Sequence, residues 1–123
     1  MTIVTGDSGG INFREMETSN FPGVTFTSYQ FRLSSDGSYE LHFSSQASPL
    51  LSGSSNTIKA GLNQSNLLTV IARGSNIYLF VNKQYVASIS DSNSSAGAIG
   101  LFAYSMGTSA TKVAFSNAQL WRL

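Results

Sequence analysis

Two apolar runs, residues 67–72 (Leu-Leu-Thr-Val-Ile-Ala) and 77–81 (Ile-Tyr-Leu-Phe-Val), flank the short connection Arg73-Gly74-Ser75-Asn76. A glycine-containing link of about 3–5 residues between β-prone runs is a hairpin signal. A second tight turn, Asn82-Lys83-Gln84, leads into residues 85–90, and residues 97–104 follow a small polar loop. Residues 66–104 therefore read as a four-strand meander, and a meander of that length commits the chain to a β-architecture.

The flanking segments agree. Thr2–Thr5 is β-prone and stops at Gly6-Asp7-Ser8-Gly9-Gly10. Residues 11–14 (Ile-Asn-Phe-Arg) alternate apolar and polar, as a half-buried strand does. Residues 15–23 read as a loop containing Pro22. Residues 24–33 place Tyr29, Phe31 and Leu33 on one face and Gln30 and Arg32 on the other. The turn Ser34-Ser35-Asp36-Gly37 follows, in which Asp bonds back to the backbone and Gly supplies positive φ. Residues 39–43 then set Tyr39, Leu41 and Phe43 against Glu40 and His42.

Residues 47–66 scatter Pro49, Leu50, Leu51, Ile58 and Leu62 among serines, which fits a short edge strand and a connection crossing the domain better than a serine-rich linker. Residues 113–115 and 120–123 are β-prone, with a bend at Ser116-Asn117 and Trp121 placed to clamp the last strand. Tyr78 and Phe80 oppose Ile77, Leu79 and Val81, so that strand reads as covered on both faces. Nothing keeps helical period. Short strands at near-regular spacing, cut by Gly, Ser and Asn, predict an all-β sandwich or barrel. Its expected core is Tyr29, Phe31, Leu33, Tyr39, Leu41, Leu68, Val70, Leu79, Val81, Leu101 and Phe115.

The 123 residues read as one domain, 1–123, and only 11% of them are charged, against about a quarter in an average globular chain. Ser, Thr, Asn and Gln take their place, giving a surface suited to neutral polar partners. Seven Lys and Arg against six Asp and Glu leave no nucleic-acid footprint. The absence of cysteine excludes a disulfide framework and a thiolate metal site. No run reaches the length of a membrane span, and the first residues lack the basic and apolar regions of a signal peptide.

The pattern Gly10-Ile11-Asn12-Phe13-Arg14, Tyr29-Gln30-Phe31-Arg32-Leu33 and Ser35-Asp36-Gly37-Ser38-Tyr39-Glu40-Leu41 continues through residues 66–70, 77–82 with Val86, 97–102 and 113–121. It resembles the concanavalin A-like lectin/glucanase superfamily, more narrowly the bacterial laminin-G-like and 3-keto-disaccharide hydrolase-type jelly rolls. The resemblance implies an antiparallel two-sheet jelly-roll sandwich and extracytoplasmic display. Family domains carry further strands before the Gly-x-x-Phe-Arg strand, so the resemblance also implies a fragment, a naturally shortened chain, or an edge covered by another copy. From that follows an expected homodimer, with Thr2–Thr5 at the contact. Lys83 stands where the family commonly has Gly.

If the three alternating strands are neighbours, Asn12, Arg14, Gln30, Arg32, Glu40 and His42 form one polar patch on a single sheet face. Such groups fork hydrogen bonds to sugar hydroxyls; the competing reading is an ordinary solvated face with weak pairs such as Arg32 with Glu40. Glu15 and Glu17 could pair as glycosidase carboxyls, but the superfamily's Glu-x-Asp-x-x-Glu strand is absent. His42 is the sole histidine, so no zinc site or serine triad is predicted, and Asp7, Asp36 and Asp91 read as turn makers rather than calcium ligands. No catalytic residue, metal or cofactor is assigned. The expected function is a non-catalytic binding or accessory module with a glycan as partner. The alternatives are a glycoside-processing hydrolase and a structural module that self-associates through sheet edges.

Overall fold

The computed structural model describes residues 1–107 and 110–121. They contain ten strands and no helix: β1 (Thr2–Thr5), β2 (Ser8–Asn20), β3 (Gly23–Ser34), β4 (Ser38–Phe43), β5 (Leu51–Ser54), β6 (Leu68–Arg73), β7 (Asn76–Val81), β8 (Gln84–Ser90), β9 (Ala98–Tyr104) and β10 (Lys112–Ala114). A five-stranded sheet runs in the order β5-β4-β3-β2-β9, a three-stranded sheet in the order β6-β7-β8, and β1 pairs with β10. Every pairing is antiparallel. The two larger sheets send buried side chains into one shared core, a sandwich-like arrangement.

Three strands of the expected meander form as read, and their turns show why. β6 and β7 pair Arg73 with Asn76 around Gly74-Ser75, with Gly74 at φ +58°. Between β7 and β8, Asn82 and Lys83 both take positive φ, +53° and +67°. That is the type I′ geometry whose twist matches a two-residue hairpin, and it puts Lys83 in a conformation that glycine adopts more easily. The fourth strand departs from expectation. β9 leaves the meander and adds to the other sheet, pairing Leu101 with Ile11 of β2, because residues 91–97 form a connection long enough to change layers.

The core is built on rows that the ladder imposes. Phe13, Tyr29 and Phe43 lie opposite one another on β2, β3 and β4, with ring centroids 5.2 and 5.0 Å apart. Phe31, Leu33, Leu41, Leu79 and Val81 are buried as expected, joined by Ile77 and by Ile58 from the loop after β5. Tyr39, Leu68, Val70 and Phe115 are only half-buried, and Leu101 is 49% exposed. Tyr78 is also exposed, and Phe80 meets Tyr85 edge-on, so the second face of β7 is open rather than covered.

Three further expectations change. Residues 15–23 are not a loop: β2 and β3 stay paired from Met16↔Thr27 to Asn20↔Gly23, leaving Phe21-Pro22 as the turn and Phe21 fully exposed. Thr2–Thr5 is met within the chain on both edges, Thr2 lying opposite Ala114 on one and Ser65 on the other, where Ile3 accepts from the Asn63 amide. Residues 115–121 form no strand and Trp121 is 70% exposed, so it clamps nothing; Arg122 and Leu123 lie outside the described residues.

Candidate functional site

The order β4-β3-β2 makes the three alternating strands neighbours. Directly opposed residues of antiparallel strands share a face. Asn12, Gln30 and His42 therefore form one row across the outer face of the five-stranded sheet. The next row runs Phe102, Gly10, Arg32, Glu40 and Ser52, and the one after it Tyr104, Ser8 and Ser34. Five of the six sequence-predicted residues thus meet on one surface.

Arg14 does not. A bulge between Phe13 and Met16 sets two residues of β2 against one of each neighbour, and Arg14 takes φ +51° there. An extra residue in a strand reverses the facing of side chains beyond it. Arg14 consequently lies on the core side, buried, with Nη1 donating to the Ser94 carbonyl at 3.1 Å while Ser94 Oγ donates to the Arg14 carbonyl. Gly97 seats on this bulge at φ +148°, where a Cβ would collide with the Glu15 carbonyl oxygen. Strict alternation in Ile-Asn-Phe-Arg carries no sign of a bulge at its last residue.

The centre of the surface is Arg32. Gly10 contributes no side chain between Arg32 and β9, so the guanidinium extends across β2 to lie 3.9 Å from the Tyr104 ring centroid and 5.8 Å from that of Phe102. A cation over an aromatic face is attracted by the ring quadrupole. Nη2 donates to Gln30 Oε1 at 3.1 Å, and Nη1 stands 4.0 Å from Glu40 Oε2. His42 Nε2 pairs with the same Glu40 oxygen. Arg32 is therefore mostly covered and holds its neighbours in place, while Tyr104, Glu40, Gln30 and His42 offer accessible edges. Asn12 Oδ1 and Arg32 Nε are buried and have no hydrogen-bond partner among the described residues. Buried polar atoms of this kind are costly to leave unpaired.

Beside Glu40 the surface dips into a concavity of about 240 Å³ bordered by Asp7, Ser35, Asp36, Ser38 and Met106. Each acid there has a structural partner. Asp7 accepts from the Met106 amide, and Asp36 accepts from the Ser38 hydroxyl and amide, which holds its carboxyl below the ordinary value. Asp91 sits apart, accepting from the Tyr29 hydroxyl and from Asn93. Glu15 stands opposite Ala98 of β9 and Glu17 opposite Phe26 of β3, so both fall on the outer face, on the stretch of β2 beyond the bulge. Among the described residues no three His, Cys, Asp or Glu are placed to hold a metal ion, and no helix is long and apolar enough to cross a membrane.

Phe102 and Tyr104 are the site residues that the sequence reading missed. Their alternation with Leu101 and Ala103 was visible, but which strand β9 would join was not. Comparison with known proteins finds no matching family model, no matching curated protein and no matching solved structure. The likeness to concanavalin A-like domains rests on the residues quoted for it alone.

Proposed function

We propose that the chain is a non-catalytic binding module of the concanavalin A-like jelly-roll kind, and that the outer face of its five-stranded sheet takes a neutral carbohydrate. The observation that carries this reading is the band of forked hydrogen-bonding groups, Asn12, Gln30, Glu40 and His42, that shares the outer face with an Arg32-backed Tyr104 ring. Sugars present hydroxyls that both donate and accept, together with apolar C–H faces. An amide row supplies both kinds of partner, and an exposed aromatic ring supplies the apolar platform. Arg32 is already opposed by Glu40, and Glu40 also meets His42, so the patch does not select for a charged ligand. The unpartnered Asn12 and Arg32 atoms gain partners if a hydroxyl or a ligand-ordered water reaches them.

A glycan-array screen of the purified protein tests the reading. A bound glycan is expected, and Gln30→Ala and Tyr104→Ala should each weaken it by at least tenfold, about 1.4 kcal/mol. Arg73→Ala, on the other sheet, should leave affinity unchanged. An array with no bound glycan, or a ligand indifferent to both outer-face variants, contradicts the assignment.

A further inference from the structure

The side of the sandwich opposite the β5 edge is open. Between β9 and β6 lies a cleft of about 1330 Å³, lined by Ile11, Phe13, Leu68, Val70, Ile99 and Leu101. β9 is the last strand of the five-stranded sheet and β6 the last of the three-stranded one, so both sheets end at this cleft with unpaired edges. Unpaired strand edges are templates for pairing, and natural proteins blunt them with charge, proline or bulges. β9 (Ala-Ile-Gly-Leu-Phe-Ala-Tyr) has neither a charged residue nor a proline.

We propose that this open side is where two copies of the chain join, β9 pairing antiparallel with β9 of the second copy about a two-fold axis near Leu101. Leu101 is the middle residue of Ala98–Tyr104, so a register centred on it uses the whole strand. It sets Ile99 beside the partner's Ala103 and Leu101 beside the partner's Leu101, all on the cleft side. An uncharged edge meets its own copy with no like-charge repulsion. The two-fold also turns each open side toward the other, so both β6 edges and both clefts come together around the axis. The area fits: Leu67, Ile99, Leu101, Leu120 and Trp121 are between 47% and 74% exposed around this cleft. Their free surface is on the order of the ~800 Å² per partner that a standard interface buries. Thr2–Thr5, the contact expected from the sequence, is not used, since β10 already pairs with it.

The chain has no cysteine, so a single introduced thiol reports the axis directly. Directly opposed Cα atoms in an antiparallel pair stand about 4.5–5.5 Å apart, within disulfide reach. Under mild oxidation by oxidised glutathione, Leu101→Cys is expected to convert to a covalent dimer far faster than Phe21→Cys, whose position is exposed on the distant ribbon tip. Wild type should show a dimer in sedimentation from low to high micromolar protein, and Leu101→Lys a folded monomer by circular dichroism. Three results would overturn the proposal. One is a wild-type monomer throughout, including one whose cleft carries a co-purified amphiphile in native mass spectrometry. The second is a dimer in which Leu101→Cys cross-links no faster than Phe21→Cys. The third is a folded Leu101→Lys variant that stays dimeric.

Discussion

At the scale of single residues, two sets of side-chain hydrogen bonds tie separate segments of this fold together. Asn66 is buried, and its side chain closes both ends of a loop: Oδ1 accepts from the Lys59 amide at 2.9 Å and Nδ2 donates to the Lys59 carbonyl at 3.0 Å. Asn82 Nδ2 donates to the same Oδ1 and to the Thr57 carbonyl, which ties that loop to the β7–β8 turn. Asn66→Ala leaves backbone groups unpaired, and denaturant melts should show a loss of about 2–3 kcal/mol. A loss under half a kcal/mol would mean that water replaces the side chain at no cost. The second set is the Tyr29–Asp91 pair. Burial first, and then the bond to Asp91, raise the Tyr29 hydroxyl above its ordinary value. Burial pushes Asp91 up, but the bonds from Tyr29 and Asn93 outweigh it and hold the carboxyl below its ordinary value. A depressed carboxyl stabilises the fold above its unfolded value, about pH 4, and that contribution disappears as pH falls through the folded one. A raised tyrosine does the opposite, its contribution being complete below about pH 10 and lost as pH rises further. Melting temperature measured against pH should therefore fall less steeply below pH 4 in Asp91→Asn than in wild type; equal slopes would place the acid sensitivity elsewhere, Asp36 first.

At the scale of elements, hairpins were legible where a turn residue dictates geometry, and obscure where pairing depends on a distant partner. Gly74 and Asn82 announced β6-β7-β8 because a two-residue connection demands positive φ. The type I′ turn makes a prediction of its own. Lys83→Gly removes the strain of a side chain at φ +67°, and should raise stability by up to about 1 kcal/mol in thermal melts. A lower melting temperature would mean that the Lys83 side chain contributes packing that outweighs the strain. The β2–β3 ribbon was hidden because residues 15–20 are polar apart from Met16 and Pro22 reads as a breaker, although Pro22 sits only in the turn. The bulge at Arg14 was hidden for a related reason: one extra residue leaves the letters of the sequence alternating while the side chains change face. It removed one arginine from the site. The place of β9 was not legible either, since an uncharged strand of alternating apolar residues suits either sheet.

At the scale of the whole molecule, the two sides of the five-stranded sheet have different chemistry. The inner side is the aromatic row Phe13-Tyr29-Phe43 and its aliphatic neighbours, and it runs out into the open cleft beside β9. The outer side is the amide row and the Arg32–Tyr104 contact. Five of the six expected site residues lie there because alternation in β2, β3 and β4 fixed their face and the sheet order made them neighbours. If β9 pairs with its copy, the two outer faces become one continuous surface, and a ligand with repeated units could engage both. Carbohydrate is proposed to bind the outer face and not the cleft. Titrating an isotope-labelled sample with a glycan selected on the array, and following backbone amide shifts, tests this directly. The largest changes are expected on Asn12, Gln30, Arg32, His42 and Tyr104. Changes concentrated instead on Leu68, Val70, Ile99 and Leu101 would contradict the proposal and move the site into the cleft.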